Sequence, residues 1–350
     1  MQVSKKIVAE LEKCYAICPI TIRGIKGFLV ATEKAGDCRF FDEAGNHVET
    51  VWSEPGGVMS LVAIPGGEGA FLATHEFFSP NDSARARIVL ARPAEDGWTI
   101  KTLTDLPFVH RFDLLQAGEK QYLIACSIKS AHEFREDWNH PGKVWVAELP
   151  GDVDAIEALC DSGELGLCDL GLELTQNHGY SRLQEQDRQG GLIGSKNGIY
   201  KIFPPKEEGE AWSVTKILNQ QTSDCVLMDI NGDGKDELIT FSMFHGDHLD
   251  IFEETEDGYR RVWASPLVME FLHAIWPATI EGEAMLFFGH RQGKRNLYVL
   301  RYSKGKGYYT ETLDEDVGPT NCNFIETPQP KLIAANREIN QVALYTIESL

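Results

Sequence analysis

The sequence predicts an all-β chain folded as a single seven-bladed β-propeller. Each blade has four short strands, and an N-terminal strand completes the last blade. Three observations carry this. Helical apolar spacing is nearly absent, while short apolar runs alternate with Gly, Pro, Asp and Asn turns along the 350 residues. The runs come in groups of four spread over about 40 residues, the length of one propeller blade. Finally, the first and last groups each offer only three strands, and residues 3–11 form a further strand with no group of its own.

The clearest unit has runs at 224–229, 237–241, 248–252 and 259–263. The unit before it has runs at 178–183, 191–195, 198–203 and 212–218, and the one after at 272–276, 285–289, 297–302 and 308–313. Residues 58–103 and 109–159 supply two more units, the second with a long insert at 127–143. Residues 22–52 and 321–347 supply the three-stranded ones. Residues 3–11 resemble fourth strands elsewhere, such as Trp98-Thr99-Ile100-Lys101-Thr102-Leu103. They are expected to pair with the C-terminal strand and close the ring, which leaves no large open edge. The chain then forms one domain over 1–350. A pair of β-sandwiches or a β-helix is the alternative.

Composition narrows the function. With 43% hydrophobic residues the chain can bury a full core, and no apolar run reaches the roughly 20 residues of a spanning helix. The 33 basic and 53 acidic residues give a net charge of −20. Nucleic acid and anionic membrane are poor partners for such a surface, because phosphate binding needs clustered Lys and Arg. Cations and neutral small molecules suit it better. Lys5 and Lys6 are not followed by the continuous apolar stretch of a secretory leader. Eight cysteines are scattered without a CxxC pair, which fits a reducing compartment. A cytoplasmic protein is expected.

The sharpest local motif spans residues 229–237. Asp229, Asn231 and Asp233 place oxygen ligands at positions 1, 3 and 5. The carbonyl of Lys235 falls at position 7 and the Glu237 carboxylate at position 9, with Gly232 and Gly234 permitting the tight turn. An EF-hand would need Glu at position 12 and flanking helices; here position 12 is Thr240 and the flanks read as strands. The loop resembles the D-x-[DN]-x-D-G-x-x-[DE] loop of FG-GAP propeller blades, although position 9 is Glu where Asp is commoner. That resemblance implies a loop joining first and second strands and holding one structural Ca2+. The turns at 65–69, 117–120 and 281–283 lack the ligand set.

Aligning the units groups the histidines. At the start of the first strands stand Ile22, Met59, His110, His178, Cys225, His273 and Cys322. At the end of the second strands stand Thr32, His75, Ser127, Lys196, Ser242, His290 and Asn336. In a propeller these two positions share one face around the central channel. The loops leaving second strands add His132, Glu133, Asp137 and His140, and the run Phe244-His245-Gly246-Asp247-His248. Nine of the ten histidines therefore map to one face, with His47 the exception.

The pattern points to a polar pocket at the channel mouth. Three neutral imidazoles from separate strands can hold Zn2+ or another divalent transition metal and leave a position open. His110, His178 and His273 are the expected ligands. The alternative is that each ring pairs with a neighbouring blade and plugs the channel. Tyr180 and Arg182 follow His178 with period two. Tyr180 or His75 is expected to move a proton, and Lys196, His290 and Arg291 to orient oxygen atoms. For Tyr180 the alternative is blade-to-blade packing. Cys225 and Cys322 read as small buried hydrophobes.

No nucleophile elbow, phosphate loop or dinucleotide fingerprint is present. The blade pattern and the 229–237 loop together look like the FG-GAP/VCBS propellers. The histidine-rich face is similar to the propeller portion of aldos-2-ulose dehydratase and to propeller polysaccharide lyases. That likeness implies elimination chemistry on a sugar, assisted by a metal or by His and Tyr. The expectation is a metal-dependent lyase or isomerase that abstracts a proton next to a carbonyl of a small sugar-like substrate. A metallohydrolase shares the metal but needs a metal-bound water as nucleophile. The other class is a non-catalytic propeller that binds a protein or glycan through its rim, where the 127–143 insert carries Phe134 and Trp138.

Overall fold

The computed structural model describes residues 1–34, 36–207, 209–325 and 327–349. Among the described residues six antiparallel sheets, five of four strands and one of eight, make up seven four-stranded blades that follow one another along the chain. Blade five shows the plan: Thr222–Met228, Glu237–Ser242, Leu249–Thr255 and Gly258–Ala264 pair in sequence order. Blades three and four touch through one extra pair, Ala117 with Arg188, and so form a continuous ladder. Gln2–Glu10 pairs with Gln341–Ser349, and the chain's two ends share blade seven. This removes the free edge that an unpaired C-terminal strand would present.

Side-chain chemistry explains the radial order. Second strands are buried on both faces and read as unbroken apolar runs, as in Leu238-Ile239, and Leu286-Phe287-Phe288. Outer strands such as Ser213–Leu218, with four of its six residues exposed, face water. The core lies between neighbouring blades. Leu192, Ile199 and Phe203 of blade four, for example, pack on Cys225, Leu238 and Phe252 of blade five. Among the described residues, no helix is long and apolar enough to cross a membrane.

Two features differ from expectation. Blade one has four strands, because Cys14–Ile22 forms its innermost strand. Its pattern is nearly continuous apolar and contains Pro19, which hides the period-two signal. Ile22 is therefore at the far end of that strand, and Tyr15 occupies the position that aligns with His273. The second difference is a helix, Val153–Ser162, packed on the outer strands of blade two. Asp152 caps its first turn, and Gly163 ends it with a left-handed φ of 68°.

The decisive local feature for the site is a bulge at the start of the innermost strands. Pairing skips one residue between Cys14 and Ala16, between Val109 and Arg111, and between Leu272 and Ala274. In blade five it skips two, between Thr222 and Cys225. A bulge re-aims its extra residue away from the ladder. The extra residues are Tyr15, His110, His273, and the Ser223-Asp224 pair.

Candidate functional site: a histidine layer in the channel

Those bulged residues meet. The His178 ring lies 4.5 Å from that of His110, 4.4 Å from His245 and 5.4 Å from His273, centroid to centroid. His245 stacks on His273 at 5.0 Å and on Phe271 at 4.3 Å, and Phe244 packs against both His178 and His245. The layer is deep: His178 is 2% exposed and His273 3%, while His245 is half-buried. His245 sits in the loop after the second strand of blade five with a left-handed φ of 51°. Non-glycine residues seldom adopt this, and it persists only where the surroundings hold it.

Hydrogen bonds settle the tautomers. His178 Nδ1 lies 2.9 Å from the Asp224 carboxylate and donates to it. His273 Nδ1 lies 2.5 Å from the Thr320 carbonyl, which only accepts. His273 Nε2 is then an acceptor, and the Tyr15 hydroxyl donates to it at 3.1 Å. The Nδ1 atoms of His110 and His245 are buried without a partner. Burial pushes the pKa of His110, His245 and His273 well below the usual histidine range, and charge on the neighbouring histidines, Arg111 and Arg291 adds to the effect. His110, His245 and His273 are therefore neutral near pH 7. Burial pushes the Tyr15 phenol up to about 12, so it keeps its proton.

One nitrogen from each of His178, His245 and His273 lies within 4.8 Å of the others, the one such convergence of three or more His, Cys, Asp or Glu among the described residues. The carboxylate behind His178 and the orphaned nitrogen of His245 fit a divalent transition metal, which would take the His273 Nε2 lone pair from the Tyr15 hydroxyl. The trio differs from the expected one by a single member. His110 packs on His178 at the layer's edge, and His245 takes its place. Two channel neighbours complete the electrostatics. Arg291 pairs with Glu338 at 2.8 Å and lies over the Phe271 ring. Arg111 donates to the Met59 carbonyl at 2.9 Å and to Asn321 at 3.3 Å, lies over the Tyr15 ring, and forms no ion pair among the described residues. It thus reaches from blade three to blade seven.

The other expected site residues lie apart from this layer. Tyr180 donates its hydroxyl to Asp113 of blade three at 3.1 Å, and Arg182 forms an ion pair with the same carboxylate. Burial beside that carboxylate holds the Tyr180 pKa well above its usual value, so the phenol acts as a link between blades. His75 packs edge-on against Trp52 at 4.7 Å with Nε2 unpartnered, and burial draws its pKa down to about 4. His290 stacks on Tyr298, and its Nδ1 lies 3.3 Å from the Glu270 carbonyl. Lys196 is exposed on the rim of blade four. Cys225 and Cys322 are buried and pushed up by burial, as inert thiols are.

The loop at 229–237 joins the first two strands of blade five, as the resemblance implied. Asp229 accepts backbone N–H bonds from Gly232, Asp233 and Gly234 at 2.8–3.0 Å. Asn231 accepts from Asp233, and Asp233 from Lys235, both at 2.9 Å. The Glu237 carboxylate accepts from the backbones of Ile230 and Asn231. Burial raises its pKa to about 7, opposed by those hydrogen bonds and reinforced by Asp233 and Asp229. Three carboxylates around one tight turn fit a hard cation.

Tyr15, Asp224, Arg111 and Phe271 were not legible as site residues. Only Asp224, beside the aligned Cys225, could have been found, by allowing a bulge in the alignment. Fold and site together define a β-propeller whose channel is crossed by a layer of imidazoles.

Comparison with known proteins adds the fold alone. No protein-family model matches the sequence, and no curated protein matches it. The solved structure of the Dos1 propeller is similar, with a TM-score of 0.57 at 8% identity over 95% of this chain and 78% of that one. Sqt1 of Saccharomyces cerevisiae has a TM-score of 0.56 at 12% identity, over 94% of this chain and 83% of that one. A putative 6-phosphogluconolactonase from Bacteroides uniformis has a TM-score of 0.54 at 11% identity, over 97% of this chain and 93% of that one.

Proposed function

We propose that the protein is a metal-dependent lyase or isomerase acting on a sugar derivative, with its centre at His178, His245 and His273. The observation that carries this is the convergence of three imidazole nitrogens within 4.8 Å, backed by the Asp224 carboxylate. A divalent transition metal held there supplies Lewis acidity to a carbonyl. The chain's own residues have complementary parts. His110, neutral and with Nδ1 unpartnered, is the base that can take a carbon-bound proton. The Tyr15 phenol holds a proton beside His273 and can return it. Arg111, with no carboxylate of its own, stabilises negative charge that develops on oxygen. Asp224 positions His178. The half-buried Phe244-His245 segment is the side from which a substrate reaches the layer.

The test is metal content by mass spectrometry on protein purified without a histidine tag. About one zinc, manganese, iron or nickel per chain is expected, lost in His178→Ala/His273→Ala while circular dichroism is unchanged. A screen of keto-sugars and uronates then follows. Calcium alone, unchanged in the double variant, sinks the reading.

A non-catalytic binding propeller is the second reading, and the depth of His178 and His273 favours it. The rim offers a well-held insert for that role. Buried Lys129 ties it down by donating to the Asp137 carbonyl at 2.8 Å and to Asn81 at 3.0 Å, and Phe134 stands 59% exposed on it. Loss of a captured partner in Phe134→Ser, with metal absent, favours this reading.

A further inference from the structure

A cavity lies away from the histidines. It has a volume of about 1170 Å³ and sits where the first strands of blades one, five, six and seven run into their turns, the opposite end from the histidine layer. Its size is that of a site for a small organic ligand. Trp276 of blade six, Phe324 of blade seven and Tyr302 line it, and all three are half-buried. Trp276 and Phe324 also pack against the core between those two blades.

The polar part of the lining has a definite chemistry. Glu43 and Glu283 line the cavity with one cation, Lys26, while the Asp229 carboxylate at its edge is held by backbone N–H groups of its own turn. Glu283 is held by Arg301 through a two-pronged bond at 2.8 and 2.9 Å. Asn323 accepts from the Phe324 backbone at 2.7 Å, and its Nδ2 makes no hydrogen bond among the described residues. An excess of carboxylates in a chain of net charge −20 repels anions. Aromatic faces with planar amide and carboxylate groups between them match a ligand that has apolar C–H faces and a rim of hydroxyls.

We infer that this cavity binds a neutral saccharide, stacked on the Trp276 wall and hydrogen-bonded by Asn323 and the acidic groups, on the face opposite the histidine layer. The carboxylates accept from hydroxyl donors, and the Asn323 amide donates to a hydroxyl or ring oxygen. Stacking a sugar face on an aromatic ring buries apolar area on both partners. The inference stands on the cavity and does not depend on a metal in the channel.

The experiment is isothermal calorimetry on full-length, metal-stripped protein. The probes are glucose, maltotriose and cellotriose, with glucuronate as the anionic counterpart. A neutral sugar is expected to bind, and glucuronate to bind at least about tenfold more weakly. Trp276→Ala is expected to weaken the neutral sugar by about tenfold or more. Should that variant unfold, Trp276→Phe, which keeps a ring, and Asn323→Ala provide the test. The first retains most of the affinity and the second loses it. His178→Ala/His273→Ala leaves saccharide binding unchanged, so failure of the metal reading and failure of this one are separable. No binding by any neutral sugar, equal binding of glucuronate, or affinity unaltered in both Trp276→Ala and Asn323→Ala overturns the inference.

Discussion

Asp224 carries more of the site than its place beside an apolar run suggests. Its carboxylate fixes the His178 tautomer, and both groups are nearly fully buried. Outer carboxylates of this kind orient a ligating imidazole and raise its basicity. Asp224→Asn keeps the shape but presents an amide that can flip its donor toward Nδ1. Metal affinity is expected to fall by about 10- to 100-fold with little change in melting temperature. Competition with a chromophoric chelator measures this, and unchanged affinity would show that Asp224 only packs. Tyr180 teaches the converse at the same scale. A tyrosine two residues from a site histidine reads as a catalytic group or as blade-to-blade packing, and its hydroxyl donates to Asp113, which joins blades three and four.

At the scale of the element, the 229–237 turn holds a pH-sensitive carboxyl. The Glu237 pKa is about 7, raised above its ordinary value. A carboxyl raised on folding stabilises the fold below its unfolded value of about 4.5, and that stability is lost as pH rises through about 7. In metal-stripped protein the melting temperature is therefore expected to fall between pH 5 and pH 8, with a smaller fall in Glu237→Gln. Added Ca2+ satisfies the ionised carboxylate, so its stabilisation is larger at pH 8 than at pH 5. Calorimetric scans at the two pH values, with and without Ca2+, check the sign. Equal stabilisation at both would remove Glu237 from the ligand set. The bulges belong to this scale too. Each is one or two unpaired residues at the start of an inner strand, and together they turn Tyr15, His110, Asp224 and His273 onto the channel.

For the whole molecule, closure is the governing feature. Gln2–Glu10 completes blade seven through eight paired positions, and Lys5 adds an ion pair with Asp314 of blade six at 2.6 Å. Deleting residues 1–10 bares the edge of Gln341–Ser349, so the truncated chain is expected to unfold less cooperatively and to aggregate. Thermal melts with light scattering check this, and a sharp, soluble transition would show that the ring does not need the strand. The surface charge of −20 and the two chemically distinct ends of the channel are also whole-molecule properties. One end carries the imidazole layer, and the other a cavity lined by aromatic and acidic groups.

The repeat, the ring closure, the acidic surface and the 229–237 turn are local, because each is written in runs of neighbouring residues whose period or spacing is sufficient. Gathering most histidines on one face was legible for the same reason, since strand order alone fixes which ends share a face. Which histidines converge was not. A bulge shifts the aim of a side chain by one residue, the loop after a second strand folds back by its own backbone geometry, and both are set by contacts between blades far apart in sequence. Thus His245 displaced His110 from the trio, Tyr15 entered from an unrecognised strand, and Arg111 reached across three blades to Asn321. The cavity at the far end also came only from the tertiary structure, because its walls are turns of four blades that meet nowhere along the chain.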